Sequence, residues 1–355
     1  MTALRDRQNN FDLLRLVFAS SVFFWHAYVL SRVPALAPLS DVFSADIAVK
    51  GFFVISGYLV MMSYENSRSL RDYAEKRVRR IYPAYVAVVL ACAIGGAVFT
   101  SLPLVEYVSA GLWRYLVANL VFLNFLAPTL PGVFEGHPHP EVNGALWTLK
   151  IEVMFYVFVP LLAWMCVRLG RWRVIIAMYV LSVLYSVVMG EIHARTGVEF
   201  WLQLQRQLPG QLRYFLVGIA LYFLSDRLRG RWGTLVAAAL AMFVVIEAAA
   251  HPTIVQLLEP LALGIAVIFA AIAIPHLGNF ARYGDFSYGV YIIHVPVVQA
   301  LVGRGWFAEN PWGAFWTSIA LVAALSALSW HAVERPFLRR RSHYRLAESR
   351  AGGET

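Results

Sequence analysis

Apolar runs of about twenty residues alternate with short polar clusters along nearly the whole of this 355-residue chain. A helix needs ~20 largely apolar residues to cross the ~30 Å hydrocarbon core of a bilayer. Candidates lie near 12–30, 45–64, 83–100, 112–127, 146–167, 174–190, 211–225, 233–250, 257–275, 286–303 and 314–333. The segment 112–127 carries Arg114 and Asn119, which makes it a poor span. The pattern predicts an all-α, polytopic integral membrane protein with about ten transmembrane helices and one re-entrant or interfacial segment. No internal repeat and no inverted halves, the signature of many transporters, are visible.

The charges orient these segments. Arg68, Arg71, Lys76, Arg77, Arg79 and Arg80 crowd one connection, three arginines occupy 168–173, three more occupy 227–231, and Arg339 begins a basic tail. By contrast, 128–145 holds Glu135 and Glu141 and no Lys or Arg. Basic loops stay on the cytoplasmic side. The signs alternate only if 112–127 does not cross, which places both termini in the cytoplasm. No cleavable leader is expected, since 1–10 is polar and no small-residue cleavage pattern follows the first apolar run. Residues 1–345 read as one membrane domain and 346–355 as a disordered cytoplasmic tail.

Composition agrees. Apolar residues make up 59% and charged residues only 14%, against about 25% in soluble domains; mean hydropathy is +0.62. The 11 Trp and 17 Tyr suit the membrane interface. A net charge of +9 could suggest nucleic acid, but it is concentrated in the loops, so no nucleic-acid partner is expected. Cys92 and Cys166 both lie in apolar runs, and neither a disulfide nor a metal site is expected.

Several polar residues stand out against this apolar ground. Arg15 and His26 lie eleven positions apart in the first run. That is about three helical turns, so both share a face about 16 Å apart in depth. Ionisable groups within a bilayer mark a pathway or a reaction site by default. Glu152 enters from the outer end of its helix to a depth similar to that of His26. The two could form a pair in which the carboxylate orients the imidazole, or each could be satisfied separately in the bundle. Arg77 and Arg80, at i and i+3, share a helix face and could grip phosphate, or could simply be cytoplasmic charge. Ser56 and Gly57 form a small-residue pair suited to close helix packing; Ser56 lacks the setting of a nucleophile. Tyr288, Tyr291 and His294 make one stripe, with Pro296 just beyond, and a polar stripe facing a cavity competes with simple burial. Glu334 and Arg335 read best as the boundary that ends the last span.

Taken together, these stretches resemble acyltransferase family 3, whose integral membrane members O-acylate carbohydrates and related acceptors. The likeness rests on N-N-F-D-L-L-R with the Arg15/His26 pair, GFF-x-x-SG-x-L at Gly51–Leu59 and R-x-x-R-I-x-P at Arg77–Pro83. It continues with LWTL-x-x-E at Leu146–Glu152, SY-x-x-Y-x-x-H-x-P at Ser287–Pro296 and VERP at Val333–Pro336. Six motifs in order cover essentially the whole chain. The resemblance implies an acyl-CoA donor, commonly acetyl-CoA, entering from the cytoplasm, a carbohydrate or glycolipid acceptor, and residence in a bacterial cytoplasmic membrane. No bound cofactor is implied. Some members carry an added hydrolase-like domain, and a stand-alone acyltransferase is expected here. Residue by residue, Arg15 and His26 match the catalytic pair, Arg77 and Arg80 an arginine pair linked to donor binding, and Glu152 the motif's acid. Ser56, Tyr288, Tyr291 and His294 are expected around the substrate. The rival expectation is a transporter or flippase whose polar stripes line a conduction path.

Overall fold

The computed structural model describes residues 9–339, apart from 229, 279 and 281–283. The expected tail, 346–355, lies outside the described residues. Ten long helices occupy the ten expected crossings: α1 Phe11–Ser31, α2 Ala45–Glu65, α3 Leu70–Phe99, α4 Trp147–Leu169, α5 Arg171–Thr196, α6 Leu208–Leu224, α7 Trp232–Ala249, α8 Pro252–Ile272, α9 Ser287–Gly303 and α10 Pro311–Ser329. Eight of these positions carry helices long and apolar enough to cross a membrane; α6 and α9, with 17 residues each, sit at the short end of the spanning range. Large apolar side chains such as Val157, Trp164, Val167, Ile176, Val244 and Leu328 remain exposed. Lipid accounts for such exposure, since helices satisfy their own backbone and can present apolar surface to hydrocarbon. The chain is an integral membrane protein.

The segment 112–127 does not form a span. Its helix, Trp113–Leu120, has eight residues and so a length of only ~12 Å. A kink at Gly111 (φ 140°) precedes it, and Phe122 (φ 61°) and a 3₁₀ turn at Asn124–Leu126 follow it. Asn119 holds this break in place: Nδ2 donates to the carbonyls of Tyr115 and Ala127, both at 2.9 Å, and its own carbonyl accepts from Tyr85.

The chain divides into two compact units, the boundary passing through several helices. The first comprises residues 1–14, 49–74 and 151–278. Its centre is α6, buried on almost every side. Gly57 of α2 and Gly218 of α6 explain the close packing: a Cβ on either would strike the other helix's backbone. Several polar groups here are matched internally. Lys50 pairs with Glu259 at 2.8 Å, and Glu259 also accepts from Tyr214. Asn10 joins the start of α1 to the end of α8, donating to Pro275 and Ala270 carbonyls and accepting from Leu277.

The second unit comprises residues 15–48, 75–150 and 279–355. Here α9 packs on α10, where Gly289 lies against Ser326 and Gly284 against the fully buried Trp330. In each unit one in-helix proline leaves a carbonyl that a side chain of the same unit satisfies. A proline cannot pair with the carbonyl four residues earlier. Pro160 therefore frees the carbonyl of Tyr156, which accepts from Tyr73 at 2.9 Å. Pro296 frees that of Ile292, which accepts from Asn143 at 2.8 Å.

Candidate active site

The second unit contains two polar levels, stacked along α1 and α9. At the lower level, Arg80 of α3 donates to Asp285 at 2.5 Å and to Glu334 at 3.0 Å. Arg15 of α1 approaches Asp285 at 3.7 Å. Asp285 and Glu334 are almost fully buried, each about 2% exposed at the side chain. Asp285 also accepts from the backbone and hydroxyl of Ser287, which opens α9. Burial alone would raise the Asp285 carboxyl, but Arg80, Arg15 and Ser287 outweigh it and hold it below the usual carboxylate range. Two guanidiniums thus face two carboxylates, and the cluster is close to neutral. The Arg80 guanidinium also lies over the ring of Tyr288, 5.4 Å from its centroid, and Tyr288 donates to the Ile81 carbonyl at 2.9 Å.

Asp285 carries no motif signal and was missed in the sequence. Glu334, expected to mark only the end of the last span, is instead a buried partner of Arg80. Its position in VERP after a long apolar run made a boundary the simpler expectation; only folding brings it to α3.

The upper level lies eleven residues along α1 from Arg15 and seven along α9 from Ser287, about 16 and 10 Å by helical rise. There the His26 and His294 rings meet, with Nδ1 of His26 3.1 Å from Nε2 of His294 and centroids 5.0 Å apart. His26 is half-buried and His294 fully buried. One turn below His294, Tyr291 shares a 2.7 Å hydrogen bond with Thr148. Above it, Gln299 accepts from His137 at 2.7 Å and donates to the carbonyls of His139 and Glu141. The stripe expected from Tyr288, Tyr291 and His294 is therefore present, and each member bonds another element of the unit.

Glu152 and Ser56 belong to the first unit. Glu152 Oε1 accepts from Ser56 at 3.0 Å and from Tyr156 at 2.5 Å. Tyr156 follows Glu152 by one turn of α4, a partner the helical pattern could have supplied. Arg77, half-buried on α3, lies one turn before Arg80. Arg79 turns instead to Glu75, at 2.8 Å, and to the carbonyl of Phe337.

Comparison with known proteins identifies the family. The family described as "Acyltransferase domain" matches residues 8–332. The chain is 30% identical to Nodulation protein 10 of Rhizobium leguminosarum bv. viciae, covering 94% of each protein. It is also 30% identical to the O-acetyl transferase of Shigella phage Sf6, covering 95% of this chain and 98% of that one. At 26% identity it resembles a putative peptidoglycan O-acetyltransferase of Bacillus subtilis, covering 82% of this chain but 50% of that longer protein. No solved structure matches. With a match running from before α1 through α10, this integral membrane chain belongs to the acyltransferase 3 family.

Proposed function

We propose that this acyltransferase moves an acetyl group from acetyl-CoA to a hydroxyl of a carbohydrate or glycolipid acceptor, with His26 as general base. Two relatives bear the name O-acetyltransferase, one of them with peptidoglycan as its named substrate, and they support both the group and the acceptor class. The observation that carries the reading is His26 itself: a half-buried imidazole on a membrane helix, with Nδ1 engaged and no hydrogen-bond partner for Nε2 among the described residues.

A hydroxyl is a poor nucleophile near neutral pH, so a base must take its proton as it attacks. Nε2 of His26 accepts the acceptor's proton while its oxygen bonds to the thioester carbonyl carbon. The C–S bond then breaks, and the departing thiolate takes a proton from the imidazolium to leave as a thiol. Arg15 points back toward the start of α1, as helix side chains do. Three turns from His26, it serves the donor's polar groups and the ion cluster rather than the reacting carbonyl. Arg77 contributes charge to the donor's phosphates. Arg80, committed to Asp285 and Glu334, fixes the helix that presents Arg77. Glu152, half-buried with Ser56 and Tyr156 in the first unit, stands as the acid of the family pattern, and in the second unit Tyr288 and Tyr291 anchor α9.

The protein belongs in a bacterial cytoplasmic membrane with both termini in the cytoplasm. The arginine-rich connections support that orientation, and the lower ion cluster ties the start of α1 to the end of α10 at one side. The test is incubation of membranes with acetyl-labelled acetyl-CoA. Label is expected to move to a glycan fraction with the native chain and not with His26→Ala. Equal transfer by the variant would remove His26 from the reaction, and no transfer by the native chain would remove the acetyl-CoA reading.

A further inference from the structure

We infer that His294 is a positioning residue for the acyl transfer: its Nε2 accepts the Nδ1 proton of His26, which locks His26 in the tautomer whose Nε2 is bare. The inference rests on the reading of His26 as the base.

The argument follows the protons. Nδ1 of His26 lies 2.9 Å from the carbonyl oxygen of Val22, and Nδ1 of His294 lies 3.1 Å from that of Val290. A carbonyl can only accept, so a nitrogen at this distance must carry the hydrogen. Both rings are therefore protonated at Nδ1. A neutral imidazole has one ring proton, so Nε2 of His294 is an acceptor, and what it meets at 3.1 Å is Nδ1–H of His26. The opposite assignment, with His294 donating, would set a bare Nδ1 of His26 against the Val22 oxygen and a bare Nδ1 of His294 against the Val290 oxygen. Two carbonyls on two helices thus impose one proton arrangement on the pair.

One proton of His26 consequently meets two acceptors, Val22 and His294. That leaves Nε2 with the lone pair, not fully buried and with no partner among the described residues. The arrangement becomes more favourable during the reaction. When Nε2 takes the acceptor's proton, His26 becomes an imidazolium, and a hydrogen bond from a charged donor is stronger than one from a neutral donor. His294 gains no proton at any step. It holds the base in orientation and stabilises the charged intermediate form.

His294 is well placed to act this way. It is fully buried, and its ring is packed against Phe23, 5.6 Å between centroids, and Tyr291, 6.1 Å between centroids. The Asn143 hydrogen bond to the Ile292 carbonyl, which Pro296 leaves free, fixes its stretch of α9. The ring cannot turn away without breaking contacts on both sides.

Two variants of the full-length membrane protein test this. His294→Phe keeps a ring of similar size and removes the acceptor. Its kcat is expected to fall roughly ten- to a hundredfold, the value of one hydrogen bond to a charged group, with donor KM unchanged. His294→Gln places an amide oxygen near the former Nε2 and is expected to restore most of the rate. A His294→Phe enzyme with native kcat, a loss confined to KM, or equal losses in both variants would overturn the inference. Nitrogen-15 NMR of histidine-labelled native protein in bilayers gives a readout independent of any variant's folding. The His26 signals, identified by their loss in His26→Ala, are expected to show protonated Nδ1 and bare Nε2 in the neutral form; the reverse pattern would overturn the inference. An active His26→Ala enzyme would instead refute the base assignment, while the NMR result would stand.

Discussion

The two levels of the second unit spend buried polar groups in opposite ways. At the lower level, Arg15, Arg80, Asp285 and Glu334 balance charge against charge, and their polar atoms are turned on one another. At the upper level, His26 and His294 form a neutral pair in which one nitrogen is left over. A closed ion cluster is costly to disturb. An imidazole with one nitrogen held and the other bare is a base. The difference teaches that the lower cluster ties together α1, α3, the start of α9 and the segment after α10, while the upper pair leaves a nitrogen for the base proposed above.

The largest expected effect falls on the upper level. His26→Ala should lower kcat by about 10²–10⁴-fold while leaving the protein inserted, as measured by label transfer and by detergent thermal melting. Near-native transfer would erase the distinction between the levels. Asp285→Ala attacks the lower level and leaves two partly buried guanidiniums facing one carboxylate. A loss of about 3–5 kcal/mol in stability is expected, read by denaturation of the purified chain. A stable variant that lost only activity would move Asp285 into the reaction.

The same carboxyl sharpens the comparison through pH. Because Asp285 is held below its unfolded value of about 3.9, its contribution is complete above that range and lost as pH falls through the folded value. Melting temperature should therefore be insensitive to this group from pH 6 to 8, roughly, and Asp285→Asn should flatten the acid side of the profile. Asn143→Ala removes the donor to the Ile292 carbonyl, a cost of about 1–3 kcal/mol if the group stays buried and unpaired. Such a loss should appear in stability and, through α9, in kcat together. The smallest effect is expected for Arg77→Ala: a rise of about tenfold in donor KM with kcat retained. Unchanged donor dependence would return Arg77 to the role of cytoplasmic charge.

The all-helical architecture, the ten long helices and the failure of 112–127 to cross were legible because each is a local property. Apolar run length, a stray arginine and the spacing of turn residues act within one segment. The same locality made His26 conspicuous, since an imidazole within an apolar run stands out whatever surrounds it. Asn10, Asp285 and Asn143 were not legible as partners. An asparagine or aspartate beside a helix end reads as a turn residue, and its true contacts lie on segments up to 267 positions away.

Sequence alone therefore determined what had to be buried in lipid, which segments were helical, and which family pattern their polar residues follow. Only the tertiary structure decided how those residues pair: Arg80 with Asp285 and Glu334, Glu152 with Ser56 and Tyr156, and His26 with His294. The physical reason is the cost of a polar group in a medium without water. That cost favours pairing, but which partner a group finds depends on which helices meet.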